Sequence, residues 1–355
     1  MRILGIETSA DETTAALVED GYKLLSNVVA SSIDLHIAFG GIVPEIAARS
    51  HLEVINTVIE ESLAVAGVTW DDIDAIGVTY GPGLGGSLLI GSMTAKTLAI
   101  AKKKPLFPIN HVEAHIYANF ITSTSPALSS SYHLPAETPK LPLLAMVVSG
   151  GHSHLIYLKN HSDYQVIGRT YDDAVGEAFD KVAKILGLPY PGGPSIQKAA
   201  QAGDPLSIKL PKAKMTGKYD FSFSGLKTAV LRAAQAQAGK DFTFPSYELA
   251  GLLSDSQKAN LAASFQYTAL QSLLDNLILA IHDFSPASVV IGGGVAANST
   301  LREMVKEQIP HEVIYTDIKL CTDNAAMIAS LAYFKQRQGS GINPYSLEID
   351  PNLSM

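Results

Sequence analysis

The sequence predicts an α/β protein built from two copies of one domain, and three observations carry that prediction. An apolar run, a polar turn and a second apolar run occupy residues 3–18 and recur at residues 143–158, each time in a hairpin pattern. Farther along, the apolar runs at 73–79 and 289–291 each end in glycines that lead into a helix, the order expected of strand–turn–helix units. The chain has 355 residues, 47% hydrophobic and 17% charged, enough for two domains of ordinary size with real cores. The repeat is one of pattern rather than identity.

Taken in order, residues 2–6 and 14–18 flank the polar turn Glu7-Thr-Ser-Ala-Asp-Glu-Thr13 and read as a hairpin. Residues 43–66 carry Val43, Ile46, Ala47, Leu52, Ile55, Val58 and Ile59 at helical spacing. The strand at 73–79 runs into Gly81-Pro-Gly-Leu-Gly-Gly86 and a helix through Ala101. Pro105–Ile109 is the next strand, and Asn110-His-Val-Glu-Ala-His115 heads the helix that leaves it. From 122 to 142 the composition shifts to Ser, Thr, Pro and Ala, which predicts an exposed insert with no core of its own. Strands resume at Leu143–Val148 and Leu155–Leu158 around Ser149-Gly-Gly-His152. Residues 174–187 read as a helix ended by Gly187, followed by a turn at Pro191-Gly-Gly-Pro194. A long amphipathic helix spans 259–284, and the strand at 289–291 leads through Gly292-Gly-Gly294 to a helix starting near Asn298. Ala325–Lys335 is the last helix, and the tail from Gly339 is expected to be loosely ordered. The domain reading is therefore 1–121, completed by the C-terminal helix at 325–338, then the insert 122–142, a second domain at 143–324, and a tail at 339–355.

Charge and composition exclude several classes. A net charge of −8 argues against a broad nucleic-acid-binding surface on this chain alone. Two basic runs stand out locally, Lys102 to Lys104 and Lys209, Lys212, Lys214 and Lys218; each reads as a solvated loop or as a local phosphate contact completed by a partner. The lone Cys321 rules out an internal disulfide framework and fits a reducing compartment. Met1-Arg-Ile-Leu-Gly-Ile reads as a strand rather than a signal peptide, and no apolar run reaches the ~20 residues of a membrane helix. The expected location is cytoplasmic.

His111 and His115, four apart, share one helical face and can reach a single ion, although two surface histidines would show the same spacing. Around them lie four places where small residues follow a strand: Thr8-Ser9, Gly81–Ser87, Ser149–Gly151 and Gly292–Gly294. Such turns let backbone N–H groups approach phosphate oxygens. None has the phosphate-loop spacing that ends in Lys-Ser/Thr, and G-x-G-x-x-G is absent. Four of them in a duplicated α/β pattern point to a phosphate held between two domains.

This arrangement resembles the actin/sugar-kinase/Hsp70 (ASKHA) superfold, in which two ribonuclease-H-like domains clamp a nucleotide. More specifically, Gly5-Ile-Glu-Thr-Ser-Ala-Asp-Glu-Thr13, Thr79-Tyr-Gly-Pro-Gly-Leu-Gly-Gly-Ser-Leu-Leu89, Asn110-His-Val-Glu-Ala-His115, Val148-Ser-Gly-Gly-His152, Gly176-Glu-Ala-Phe-Asp-Lys181, Pro191-Gly-Gly-Pro194, Phe221-Ser-Phe-Ser-Gly-Leu-Lys227, Gly292-Gly-Gly-Val-Ala-Ala-Asn298 and Cys321-Thr-Asp-Asn324 resemble the TsaD/Gcp family, in that family's order, from residue 3 to about 335. The resemblance implies a tRNA N6-adenosine threonylcarbamoyltransferase. Such an enzyme moves the threonylcarbamoyl group of threonylcarbamoyl-adenylate to N6 of adenosine 37 in tRNAs reading ANN codons, forming t6A and releasing AMP. It implies one divalent metal per subunit, Fe2+ or Zn2+, on His111, His115 and Asp323. For Asp323 the residues alone also allow a helix N-cap. The positions matching the family's adenylate site are Val147, Val148, Ser149, Gly150, Gly151, Asp180, Gly193 and Asn298. The implied partners are tRNA, a TsaB-like paralogue and a TsaE-like ATPase, with no membrane contact. Asp11 and Glu12, in the first polar turn, are candidates for positioning or proton transfer, although carboxylates in such turns are usually exposed. Two positions depart from the family pattern: Ala10, where cysteine is common, and Gln197, where aspartate is common.

Three other readings are weaker. A zincin protease needs glutamate directly after the first histidine, where this chain has Val112. A small-molecule kinase of the same superfold has no need of the histidine pair, and a non-catalytic scaffold paralogue would have lost the metal and nucleotide residues that this chain keeps.

Overall fold

The computed structural model describes residues 1–339 and 341–355. Among these residues eleven strands form two sheets. The first contains β1 (Arg2–Glu7), β2 (Glu12–Glu19), β3 (Lys23–Ser31), β4 (Ala75–Gly81), β5 (Leu106–Asn110) and the short β6 (Ser123–Thr124), in the order β5-β4-β1-β2-β3-β6. The second contains β7 (Leu143–Val148), β8 (Ser153–Asn160), β9 (Asp163–Arg169), β10 (Ser288–Gly292) and β11 (Val313–Tyr315), in the order β11-β10-β7-β8-β9. In both, three strands form an antiparallel meander and two later strands add in parallel beside the first. The duplication expected from the sequence is thus a shared topology.

Helices fill the layers between and outside the sheets: α1 (Ile33–His36), α2 (Pro44–Ala66), α3 (Gly85–Lys102), α4 (His111–Tyr117), α5 (Val175–Leu186), α6 (Gly192–Ala200), α7 (Ser224–Gln237), α8 (Ser246–Leu249), α9 (Asp255–Phe284), α10 (Ser299–Gln308) and α11 (Ala325–Gln336). Along β7 the side chains alternate between two cores. Leu143, Ala145 and Val147 join a central core with α4 and α11, whereas Leu144, Met146 and Val148 join the outer core beneath α5, α7 and α9. On the first sheet's far face, Leu4, Ile6, Ile76 and Val78 pack with α2 and α3. The central layer is therefore α4 and α11, held between the sheets. Helix α11 lies directly on β1 because Gly5 has no side chain: a Cβ there would sit 2.2 Å from the Ala325 carbonyl oxygen.

The structure departs from the sequence expectations in four places. The insert 122–142 is not free of the core. Its β6 pairs with β3, and Leu128, Tyr132, Leu134 and Leu141 pack against the central core. The tail beyond 339 is not loose either. Ile342 N donates to Leu106 O, Asp350 N to Tyr80 O, Gly83 N to Pro351 O, and Leu347 is buried. Pro191-Gly-Gly-Pro194 is the first turn of α6 rather than a connecting turn, with Pro191 as its N-cap. Strands β3, β9 and β11 and helix α7 are absent from the sequence reading; β3 and β9 complete the two meanders. Among the described residues no helix is long and apolar enough to cross a membrane.

Candidate active site

Helix α4 opens the site. The Asn110 side chain caps it, accepting from Val112 N at 2.8 Å and Glu113 N at 3.1 Å, so His111 and His115 stack one turn apart on the same face. Their Nε2 atoms lie 3.2 Å apart, and each is 3.5 Å from Asp323 Oδ1. The structure thus brings together all three residues of the implied metal set, with His111 and His115 buried. The N-cap of α11 is Asn324, whose side chain accepts from Met327 N at 3.1 Å. That frees Asp323 from the capping role the residues alone allowed and leaves its carboxylate facing the imidazoles.

A second layer fixes the imidazoles. Glu7, fully buried at the end of β1, accepts from His111 Nδ1 at 3.0 Å and is itself held by Thr79 Oγ1 and Ser9 N. A proton fixed on Nδ1 leaves His111 Nε2 a lone pair directed at His115 and Asp323. Burial works to lower the His111 pKa, but Asp323 and Glu7 overcome it and raise the group to about 9. Burial lowers His115, and burial followed by the neighbouring His111 lowers His152 to about 3. Two nitrogens and a carboxylate oxygen converging on one point, where the protein alone holds a proton, fit a borderline divalent cation.

Asp11 and Glu12 are not the exposed pair that a polar turn suggests. Asp11 is buried, and its carbonyl accepts from Ser32 N and Oγ. Burial, then Asp323 and Asp11, push the Glu12 carboxyl up to about 10, so it carries a proton at neutral pH. The adjoining Ala10 carbonyl accepts from His51 Nε2 at 3.0 Å. His51 comes from α2 and is fully buried, with Nδ1 2.7 Å from Thr13 Oγ1. The sequence reading missed Glu7, His51 and His152. The only signal for His51 was its place on the buried stripe with Ile55 and Val58.

Across from the cluster, a cavity of about 300 Å³ is lined by Gly150, Asp180, Gly193, Gln197, Gly294 and Asn298, with Phe179 among the residues around them. A Cβ on Gly150, Gly193 or Gly294 would meet nothing within 4 Å, so backbone is presented to open space. Asp180 Oδ1 accepts from Gly192 N at 2.7 Å, and burial raises its pKa. Asn298 caps α10, accepting from Leu301 N at 3.0 Å and donating to Gln266 Oε1 at 3.1 Å, while Gln197 accepts from Ser299 N at 3.1 Å. Ser149 N donates to His152 O within the turn, and none of the described residues accepts from Gly150 or Gly151 N–H. Val147 and Val148 stand behind this turn with buried side chains. Of the four small-residue turns, Gly81–Ser87 is covered at its start, while Gly86 stays exposed. Tail residues lie on it, and a Cβ on Gly81 would sit 2.0 Å from Asp350 O.

The comparisons with known proteins identify the family. The sequence pattern of the TsaD family, described as tRNA N6-adenosine threonylcarbamoyltransferase, matches residues 23–330. The protein of that name from Thermomicrobium roseum is 48% identical over 348 residues, covering 96% of this chain and 93% of its own length. The one from Caldicellulosiruptor bescii is 49% identical over 344 residues, covering 96% and 94%. Among solved structures, T. kodakarensis HypF superposes with a TM-score of 0.59 at 12% identity, covering 94% of this chain and 47% of that one, a likeness of fold alone. Two ribonuclease-H-like sheets of one topology, a HxxxH–Asp cluster between them and near-full-length relatives of one description place this chain in the TsaD family, the tRNA N6-adenosine threonylcarbamoyltransferases.

Proposed function

We propose that this chain transfers the threonylcarbamoyl group of threonylcarbamoyl-adenylate to N6 of adenosine 37 in tRNAs reading ANN codons, forming t6A and releasing AMP. The observation that carries the reading is the convergence of His111, His115 and Asp323 beside a cavity with free backbone donors. The donor is a mixed anhydride with a good leaving group, so no covalent enzyme intermediate is needed. The N6 amine attacks the carbamoyl carbon, a C–N bond forms, the C–O bond to the phosphate breaks, and the amine loses a proton. Gly150 and Gly151 N–H hold the phosphate, Asp180 receives a ribose hydroxyl, and Gly193 lets the nucleoside lie close to backbone. Asn298, already occupied as a cap, shapes the wall next to Gly294. Asp11, in the turn after β1, and Glu12, at the start of β2, attend the amine: Asp11 accepts its proton, and Glu12, itself protonated, can only position it as a donor. When bound by the two histidines and the aspartate, a divalent ion, iron or zinc, supplies Lewis-acid polarisation of a substrate oxygen.

An acidic enzyme that acts on tRNA needs partners, and we assign a TsaB-like paralogue and a TsaE-like ATPase. Leu52 and Val65 on α2 and Leu89, Met93 and Ile100 on α3 are exposed and apolar, which supports this outer face as the paralogue's contact. A cytoplasmic location accords with a single, buried, unpaired Cys321. The test is transfer with synthetic adenylate donor, the paralogue, the ATPase and unmodified tRNA, read by nucleoside mass spectrometry. We expect t6A from the parent, with both bound metal and product lost in His111→Ala and Asp323→Ala. Absence of t6A from the parent, or metal-free protein indifferent to those substitutions, overturns the reading.

A further inference from the structure

Beyond the metal cluster, a row of imidazoles leads to a second cavity. The His111 and His152 rings are 6.2 Å apart, and His152 and His154 are 5.6 Å apart. His154 lies opposite Arg169 in the β8–β9 register, so their side chains share one face of the sheet. They line a cavity of about 310 Å³ together with Tyr171, Asp220 and Met355.

Three features of this cavity are unexplained by folding. First, the other five arginines, Arg2, Arg49, Arg232, Arg302 and Arg337, each donate to a protein acceptor, whereas the Arg169 guanidinium donates to none among the described residues. Second, His154 Nδ1 is buried without a hydrogen-bond partner, and burial, then Arg169, lower its pKa to about 4, so the floor of the cavity is a neutral imidazole. Third, Tyr171 is 63% exposed, and the Arg169 guanidinium lies 5.3 Å from its ring centroid. The acids nearby are engaged: Asp220 Oδ1 accepts from Arg169 N, Asp172 accepts from Ser222 Oγ and Phe223 N, and Asp173 pairs with Lys181 and Lys227. Asp172 and Asp220 keep their charge, since their donors are neutral, but among the described residues no carboxylate, that of the C-terminal Met355 included, forms an ion pair with the Arg169 guanidinium. A free guanidinium stacked on an exposed aromatic ring is the chemistry that takes single-stranded nucleic acid, with a phosphate on the charge and a base on the ring.

We propose that the Arg169–Tyr171 pair, at the outer end of the imidazole row, is the docking surface for the single-stranded RNA flanking the acceptor adenosine. Arg169 takes a backbone phosphate and Tyr171 stacks a neighbouring base. The inference rests on the RNA-modifying reading above. It explains how a chain of net charge −8 engages RNA, since one unpaired cation at the outer end of the imidazole row suffices for local registration while the broader positive field comes from partners.

Two measurements on the full chain test it. In fluorescence anisotropy with unmodified tRNA, Arg169→Ala weakens binding about tenfold at moderate salt and reduces the slope of log Kd against log salt by about 0.7. Tyr171→Ala weakens binding with the slope unchanged, Tyr171→Phe binds like the parent, and Arg169→Lys recovers the salt slope but not the full affinity. In the reconstituted transfer assay the KM for tRNA rises in Arg169→Ala, while the KM for the adenylate donor and the bound metal stay at parental values. Binding and salt slope within twofold of the parent for both Arg169→Ala and Tyr171→Ala overturn the proposal. So does a raised donor KM with an unchanged tRNA KM, which would assign Arg169 to the donor's threonyl carboxylate. Anisotropy reads the surface directly, so a parent that binds tRNA through Arg169 but forms no t6A refutes the transferase reading and leaves this surface standing.

Discussion

At the residue scale, the site is a set of polar groups that the surrounding core forces to choose partners. Glu7 is fully buried, and a buried carboxylate is tolerated only when paired and hydrogen-bonded; His111, Thr79 and Ser9 supply that. Burial raises the Glu7 pKa, but the charge and hydrogen bond of His111, together with the Thr79 hydroxyl, outweigh it and lower the pKa on balance, so the group stays ionised. Its service to the histidine is tautomeric: by accepting from Nδ1 it directs Nε2 at the metal position. Glu7→Gln keeps the shape but presents a neutral amide that can point either its oxygen or its NH2 at the ring. We therefore expect metal affinity to fall about 10- to 100-fold by chelator competition, with the thermal midpoint of the metal-free protein altered far less. Equal metal affinity in parent and variant removes Glu7 from the metal site's support.

At the scale of elements, Asp323 depends on its neighbour. Asn324 is fully buried, caps α11 through Met327 N, and donates to Leu320 O at 3.0 Å and Thr322 O at 2.8 Å. Asn324→Ala deletes all three bonds, and we expect a loss of about 2 kcal/mol by chemical denaturation together with weaker metal binding, because the chain that presents Asp323 loses both its anchors. A stability loss with unchanged metal affinity would show that Asp323 is placed by other contacts. The same element marks the limit of sequence reading. The histidine spacing is local and legible, as are α2, α9 and α11, whose apolar stripes are long. Asp323 has no local signal; only family strings pointed to it, because its approach to α4 is a property of the fold. Strands β3 and β9 escaped notice because they close the meanders with polar residues such as Lys23, Asn27, Asp163 and Gln165 among the apolar ones. The tail escaped because backbone groups anchor it, and those leave no side-chain period to read. Glu7 and His51 were invisible as site residues for a related reason: each is an ordinary member of its strand or helix until another element packs against it.

At the scale of the whole molecule, the His111–His115–Asp323 cluster is a junction between distant parts of one chain. His111 and His115 precede the entire second sheet, and Asp323 follows it, so the ion would close a loop containing β7 to β11. Helix α11 then returns to pack on β1 in the central layer, where both sheets contribute to one core. An ion bound there is bound by the folded arrangement alone, because the unfolded chain must bring two ends of a long loop together to reproduce the site. Native-state binding stabilises by mass action, about 2.7 kcal/mol when free ligand exceeds its dissociation constant a hundredfold. Chelation should therefore lower the thermal midpoint of the parent by a few degrees as a single transition, and readdition of Zn2+ or Fe2+ should restore it. Asp323→Asn should start near the chelated value and respond to neither treatment. A parent whose midpoint stays put after metal analysis shows the ion gone would mean that the two lobes hold together without it, and that the cluster serves the reaction alone.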